Sequence, residues 1–387
     1  MIQEFKAEYR ISAPLVMAGH DALEKGDSLR PPSLKGALRF WWRALNWSRL
    51  RQQTGNDNEA LKALHREESE LFGSAAGKSQ QAKVLLRVTS NLDTEEFPSG
   101  QKLESGLAYL LGQGMHDRNT GSKRPGLRGN VTLRCVWRHD ALSNEQIEGL
   151  QLAVQALGLL GSLGARARKG FGSLSLQTLR KNDTELPVPL DQAQLNAWLK
   201  KISTQCNITE QPPFTAWYSG SRCWALPLKP NGSANSAKAL LNEYGRQMMN
   251  YRLSDKSTIG GIHGRGLFKS DSRELRKMLE NSTPKQAPRR AVFGLPNNVF
   301  FMDCKQTVEV NPATHQRRAS PLLAHLHEFP NGQKVILATL LPAQFLPVQE
   351  GIAVKSRGRH PERLPFQPDW KVIEAFIQQC EGKELTV

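Results

Sequence analysis

Apolar residues along this chain repeat with two periods, and the change from one to the other marks out strands and helices. Phe5, Ala7, Tyr9 and Ile11 alternate with polar residues, which predicts a strand with one face on a core. Leu34, Leu38, Trp41 and Leu45 then recur at helical spacing and predict a helix over residues 34–50. Pro31-Pro32 blocks helix ahead of it, so Ser33 is expected at the N-cap. Residues 84–88 read as a buried strand. Val131, Leu133, Cys135 and Trp137 share one face of a half-buried strand. Ser143-Asn-Glu-Gln146 is a capping box, and Ile147, Leu150, Val154 and Leu157 follow at helical spacing. That helix stops in the glycine-rich run 161–172, and Leu174 and Leu176 open another strand. The order strand, helix, strand, strand, helix, strand is the ferredoxin-like split βαβ arrangement.

Residues 180–213 are rich in Pro, Asn and Gln and hold one short amphipathic piece, 195–202, so they read as a linker with a small helix. A second cycle follows. It has strands at 223–228 and 298–302, a helix at 236–252, and a hairpin of 322–326 with 335–341 across Pro330-Asn-Gly-Gln. Trp370, Ile373, Phe376 and Ile377 make a last helix. Leu71-Phe-Gly-Ser74 and Val292-Phe-Gly-Leu295 hold similar places in the two halves, as an internal repeat would. The expectation is an α+β chain of two tandem ferredoxin-like (βαββαβ, RRM-like) domains. They occupy 1–185 and 216–387, joined by a linker at 186–215.

Charge narrows the function. Lys and Arg number 52 against 36 Asp and Glu, a net +16, which on a chain with 39% hydrophobic residues points to a polyanionic partner. No apolar run reaches the roughly 18 residues of a membrane span, and the N-terminus has no signal-peptide pattern. The five cysteines are scattered with no CxxC pair, which fits a reducing cytosol and neither a disulfide framework nor a zinc ribbon. A cytoplasmic protein without membrane partner, metal or cofactor is expected.

Three segments carry the chemistry. Between residues 28 and 55 there are six Lys or Arg and no acid, and Lys35, Arg39 and Arg43 lie on one helical face. With Ser33 capping and Gly36 leaving the first turn open, free amides, helix dipole and basic stripe predict an anion site. In the run 161–172, glycines let backbone approach a ligand, while Arg166, Arg168, Lys169 and Gly170 supply charge and close contact and Phe171 a base-stacking ring. It is neither a Walker A loop nor a dinucleotide fingerprint. The stretch 118–129 offers Arg118, Lys123, Arg124 and Arg128, and the second half adds Arg265, Arg289-Arg290, Arg317-Arg318 and Lys355 to His360. Each alone is an ordinary solvated loop. Together they match a protein that tracks a phosphate backbone.

Catalytic patterns are thin. GxSxG and HExxH are absent. His325 and His327 face one way on a strand but have no third ligand at suitable spacing. His20, flanked by Asp21 and Asp27, and His263 among glycines are the candidates for a general acid or base. A scaffold whose basic loops bind acidic protein neighbours is the blander reading.

The stretch Arg30-Pro-Pro-Ser-Leu-Lys-Gly-Ala-Leu-Arg-Phe-Trp-Trp-Arg-Ala-Leu45 resembles the SLKGALR-type helix start of the RAMP superfamily of CRISPR proteins. Its Phe-Trp-Trp-Arg-Ala extension and Leu71-Phe-Gly-Ser74 are similar to the first RAMP subunit of the type III-B effector, the Cmr complex. The loop ending Gly170-Phe-Gly172 resembles the superfamily's glycine-rich loop, and similarity continues at 289–296 and 317–321. The linker and the last 40 or so residues carry none of these motifs, and the second half lacks an equally rich glycine loop. The resemblance implies two ferredoxin-like domains in a ribonucleoprotein whose guide RNA captures complementary target RNA. It implies a place beside other RAMP subunits near the guide's 3′ portion, and no cutting activity. A RAMP endoribonuclease acting through His20 or His263 is the alternative.

Overall fold

The computed structural model describes residues 1–17, 29–75, 79–112, 114–230, 236–253, 258–259 and 262–386. His20, Asp21 and Asp27 lie outside the described residues, as do Gly260, Gly261 and the side chain of His263.

The first half runs β1 (Ile2–Ile11), α1 (Pro31–Thr54), α2 (Asp57–Phe72), β2 (Leu85–Phe97), α3 (Ser105–Leu111), the ribbon β3 (His116–Asp117) and β4 (Gly121–Ser122), β5 (Gly126–Arg138), α4 (Asn144–Leu159), β6 (Leu174–Lys181), β7 (Thr184–Leu186) and α5 (Gln192–Gln205). Its sheet is antiparallel throughout, in the order β2-β5-β1-β6-β7. The alternation in β1 and β5 sets the register. Phe5, Ala7 and Tyr9 lie opposite Cys135, Leu133 and Val131, so one face is wholly apolar. α1 and α4 cover that face. They come close because Gly158 sits against the Tyr9 ring, where a Cβ would lie 2.6 Å away, and Tyr9 donates its hydroxyl hydrogen to Val154 O at 2.9 Å. The capping box at Ser143 and Gln146 is present. α1 is buried around more of its girth than one stripe, since α2 packs on it through Trp42 and Phe72. The strand expected to be buried at 84–88 alternates instead, with Val84 covered and Leu85 56% exposed. The segment read as a linker is part of the core: Leu195, Leu199 and Ile202 of α5 are fully buried.

The second half runs β8 (Arg222–Leu226), α6 (Ala237–Arg252), the ribbon β9 (Thr258–Ile259) and β10 (Ile262–His263), α7 (Lys269–Arg276), a 3-10 turn (Arg289–Phe293), β11 (Asn297–Phe301), β12 (Gln306–Pro312), β13 (Leu322–Glu328), β14 (Lys334–Leu340), β15 (Ile352–Ser356), β16 (Glu362–Leu364), α8 (Lys371–Gln379) and β17 (Lys383–Glu384). Two four-stranded sheets form, ordered β13-β14-β8-β17 and β11-β12-β15-β16. The β13–β14 hairpin turns where expected, with Phe329 N donating to Gln333 O and Gly332 at φ 82°. The strand read at 298–302 belongs to the second of these sheets, which has its own apolar core around Val299, Phe301, Val308 and Val354. That sheet enters the chain as two excursions, one before β13 and one after β14. The Phe-Gly echo is local: each Phe ends a helical turn, and Gly73 and Gly294 follow at φ 79° and 114°.

A seam joins the halves. Among the described strands β13 pairs with β14 alone, and its outward amides bond to the first half: Ala324 N to Arg168 O at 3.0 Å, Leu326 N to Ser173 Oγ at 2.9 Å, Glu328 N to Ser175 Oγ at 2.8 Å. Ser12 Oγ donates to Leu326 O at 2.6 Å. The buried Glu328 carboxylate takes Arg10 at 2.9 Å and Arg128 at 3.4 Å from the first half. Replacing Ser173 with alanine orphans a buried amide, and is expected to lower stability by about 1–3 kcal/mol. The urea midpoint of the full chain measures it, and an unchanged midpoint would show that the seam does not depend on this bond.

Candidate nucleic-acid interface

α1 presents Lys35, Arg39 and Arg43 on one face, as its spacing requires. Its N-terminus differs from expectation. Arg30 is the N-cap and makes no side-chain cap bond, Pro31 and Pro32 occupy the first helical positions, and Ser33 lies exposed in the first turn. Two prolines contribute no amide hydrogens, and Ser33 N donates to Arg30 O at 3.0 Å, so the turn offers few free donors to an anion. The attraction here comes from side-chain charge. It is also partly neutralised: Arg39 Nε bonds Glu68 Oε1 of α2 at 2.6 Å, and Arg43 meets the same oxygen. Lys35 has no ion-pair partner among the described residues.

The glycine run is folded tightly rather than left open. Gly164, Gly170 and Gly172 sit at φ 76°, 88° and 64°, and a Cβ on Gly172 would lie 2.1 Å from Leu163 O. This winding turns Phe171 fully into the core, so it cannot stack on a base. The same winding aims the cations at the seam. Arg168 lies over the Phe40 ring at 5.4 Å and donates to Ser320 O, while Lys169 lies over Tyr109 at 5.9 Å. Arg166, itself at φ 61°, donates to Leu111 O at 2.6 Å. Burial, then the neighbouring Arg252 and Arg166, pushes the Lys169 ammonium down to about 7. Burial, then Arg318, lowers Arg168 to about 10, which leaves it charged at neutral pH.

A cavity of about 510 Å³ opens where α1, α2 and the glycine run meet the segment before β13. Arg43, Arg168 and Arg318 line it beside Phe40, His65 and Phe214. Arg318 lies over Phe345 at 5.3 Å, and its Nε and Nη2 are buried without a hydrogen-bond partner. No carboxylate among the described residues pairs with Arg168, Lys169, Arg252 or Arg318, and the one in the cavity wall, Glu68, is held by Arg39 and Arg43. The arrangement is a cationic, partly aromatic cleft suited to phosphate groups on a chain that also carries flat rings.

The other candidate residues are dispersed. Arg118 and Lys123 are exposed on and beside the β3–β4 ribbon, and Arg124 is half-buried there. Arg128 is committed to Glu96 and Glu328, so it acts as a strut between the halves. Arg265 is exposed beyond β10, and exposed Arg289 meets Asp369 loosely at 3.8 Å. Arg290 is buried on Asp271, Ser272 and Phe268, a structural anchor rather than a free phosphate contact. His325 and His327 are fully buried and 3.4 Å apart; burial holds His325 well below its usual range and His327 at about 3. Among the described residues no group of three His, Cys, Asp or Glu could hold a metal, and no helix is long and apolar enough to cross a membrane. The five cysteines are free. Arg318 was legible only as part of the basic pair Arg317-Arg318, and sequence reasoning missed Arg252, whose only signal is its place at a helix C-terminus.

Residues 13–175 match the RAMP superfamily. Two proteins of Pyrococcus furiosus, CRISPR system Cmr subunits Cmr1-1 and Cmr1-2, are 28% and 27% identical over 179 and 184 residues. These stretches are 45% and 43% of this chain, and 47% and 92% of the relatives, so the chain spans about half the length of the first. The crystal structure of apo Cmr1 from Pyrococcus furiosus shares the fold at TM-score 0.53 and 18% identity, covering 100% of this chain and 98% of that one. The cryo-EM structure of the type III-B Cmr-beta bound to cognate target RNA matches at TM-score 0.55 and 12% identity, covering 98% and 99%. The common feature is a mixed α/β fold with antiparallel sheets.

Changing Glu68 to glutamine releases Arg39 and Arg43 into the cleft. Because both arginines are about one-third exposed, the loss of stability is expected to be only about 1 kcal/mol. Affinity for a polyanion such as heparin should rise and fall more steeply with salt. Calorimetry across a salt series reads both, and weaker heparin binding would show that Glu68 positions the arginines rather than masking them.

Proposed function

From the premise that this chain is homologous to Cmr1 subunits and carries a RAMP domain at residues 13–175, we propose that it is a non-catalytic, cytoplasmic RNA-binding subunit of a type III-B CRISPR ribonucleoprotein. It contacts guide RNA near its 3′ portion, assists capture of complementary target RNA, and docks on other RAMP subunits. The reading is carried by one observation: Arg168, Lys169 and Arg318 converge at the seam, and no carboxylate among the described residues pairs with them. Such a cluster is stable in solution only with counterions, and a phosphate backbone replaces them at an entropic gain.

The topology supports it. In the first half the strand order places the fourth strand, β6, beside the first, β1, and the third, β5, between β1 and β2. In the second, β17, β8, β14 and β13 repeat that order with α6 and α8 as crossovers. We read both as ferredoxin-like units, the second interrupted by the inserted sheet. Against catalysis, the one close histidine pair among the described residues, His325 and His327, is sealed from solvent and held neutral.

Lys35→Ala with Arg39→Ala should weaken binding of single-stranded RNA about tenfold and reduce the slope of log affinity against log salt by about 1.4, two phosphates at 0.7 each. Fluorescence anisotropy on a labelled guide-length RNA measures this, and the same incubation, with or without divalent metal, should leave the RNA intact. Unchanged affinity and slope would remove α1 from the interface, and cleavage would restore the endoribonuclease reading.

A pH effect follows from Lys169. In the free protein its ammonium titrates near 7; a phosphate beside it raises that value, so binding takes up a proton. Affinity should therefore fall as pH rises from about 7 to 9, by less than tenfold per unit, and Lys169→Met should abolish the dependence. A pH dependence that survives Lys169→Met would assign it to another group.

A further inference from the structure

The second half holds a separate cleft of about 610 Å³ between α6, α7, the 3-10 turn and β11, within the roughly 300–1,000 Å³ of small-ligand sites. Two of its cations are already used: Arg276 pairs with Asp303 at 2.7 Å and Arg290 with Asp271. Two others, Lys269 and Arg273 of α7, are exposed and make no ion pair among the described residues. Arg252, at the end of α6, stacks over Phe293 at 5.2 Å, and its buried Nε has no hydrogen-bond partner. The cleft thus has cationic charge to spare.

Its rim breaks the rule of its own strand. β11 alternates, with Asn297, Val299 and Phe301 turned to the core, so Asn298, Phe300 and the following Met302 face water. Polar residues belong there, yet Phe300 is 52% and Met302 71% exposed. A flat apolar ring beside unpaired cations is the chemistry that receives a nucleobase attached to a phosphate. An acidic peptide would use the charge and leave the ring without a function. The cleft also lies next to the seam, because Arg252 lines both it and the small cavity holding Arg168 and Lys169.

We infer that this cleft takes a single-stranded RNA segment leaving the seam, with a base stacked on Phe300 and phosphates on Lys269, Arg273 and Arg252. The inference rests on the RNA-binding reading and gives its second half a site. The test uses the full chain and a fluorescein-labelled oligouridylate followed by anisotropy across a salt series. Phe300→Ala should weaken binding at least fivefold with little change in salt slope, since stacking carries no counterions. Phe300→Trp should retain wild-type affinity. Lys269→Ala with Arg273→Ala should flatten the slope by about 1.4. Phe300 is half exposed, so its alanine variant keeps the core intact. Wild-type affinity in Phe300→Ala would overturn the inference. So would displacement of the RNA by oligoglutamate at equal charge, which would give the cleft to an acidic protein. If the unsubstituted chain does not bind the RNA, the RNA-binding reading itself fails; wild-type binding by the Lys35→Ala with Arg39→Ala variant removes only α1 from the interface. If that variant weakens and Phe300→Ala does not, only the cleft assignment falls.

Discussion

β13 is bonded to a strand on one side only, and its other edge runs through apolar core where water cannot reach its amides. An unpartnered amide in such a place costs about 1–3 kcal/mol, and three occur in a row at Ala324, Leu326 and Glu328. The first half supplies all three acceptors, from the backbone of Arg168 and the hydroxyls of Ser173 and Ser175. A continuing strand would have made one large sheet. Serines make a seam instead, which closes the edge and fixes the register of one half on the other.

The glycine run gets its shape from that seam. Arg168 O must reach Ala324 N while the chain doubles back to begin β6, and only left-handed turns at Gly170 and Gly172 allow both in so few residues. Fixing the carbonyl of Arg168 also fixes where its guanidinium can go, across Phe40 to Ser320. The loop therefore does two things with one conformation: it joins the halves and it sets cations at the joint.

Much of this was legible beforehand, and the parts that were not share a physical cause. Alternation in β1 and β5, the capping box at Ser143, the β13–β14 turn and the basic stripe on α1 depend on neighbours within a few residues. Periodicity sees those. It does not see Glu68, which reaches Arg39 and Arg43 from the next helix, or Glu328, which takes Arg128 from 200 residues away. Phe171 was misread because glycine neighbours suggest an exposed loop, whereas their left-handed angles turned the ring inward. Pro31-Pro32 suggest a block to helix that leaves Ser33 at the cap; instead Arg30 takes that position and the prolines begin the helix, where a missing amide hydrogen costs nothing. The inserted sheet read as part of a second cycle because each of its pieces is a short alternating strand.

The seam and a polyanion bound to it respond differently to salt. Burial first, and then repulsion from Arg252 and Arg166, lowers Lys169; burial first, and then Arg318, lowers Arg168; no carboxylate among the described residues pairs with Arg168, Lys169, Arg252 or Arg318 to offset this. These groups are largely buried and closer together than the Debye length of about 10 Å at 0.1 M, so added salt screens their repulsion only weakly. The same salt weakens a bound polyanion by supplying the counterions it displaced. A cluster kept only for structure would be improved by a single glutamate in place of Ser320 or Phe40, both within reach of Arg168. Among the described residues the joint instead leaves this charge without a carboxylate, and the proposed RNA-binding role accounts for that by a phosphate from outside the chain.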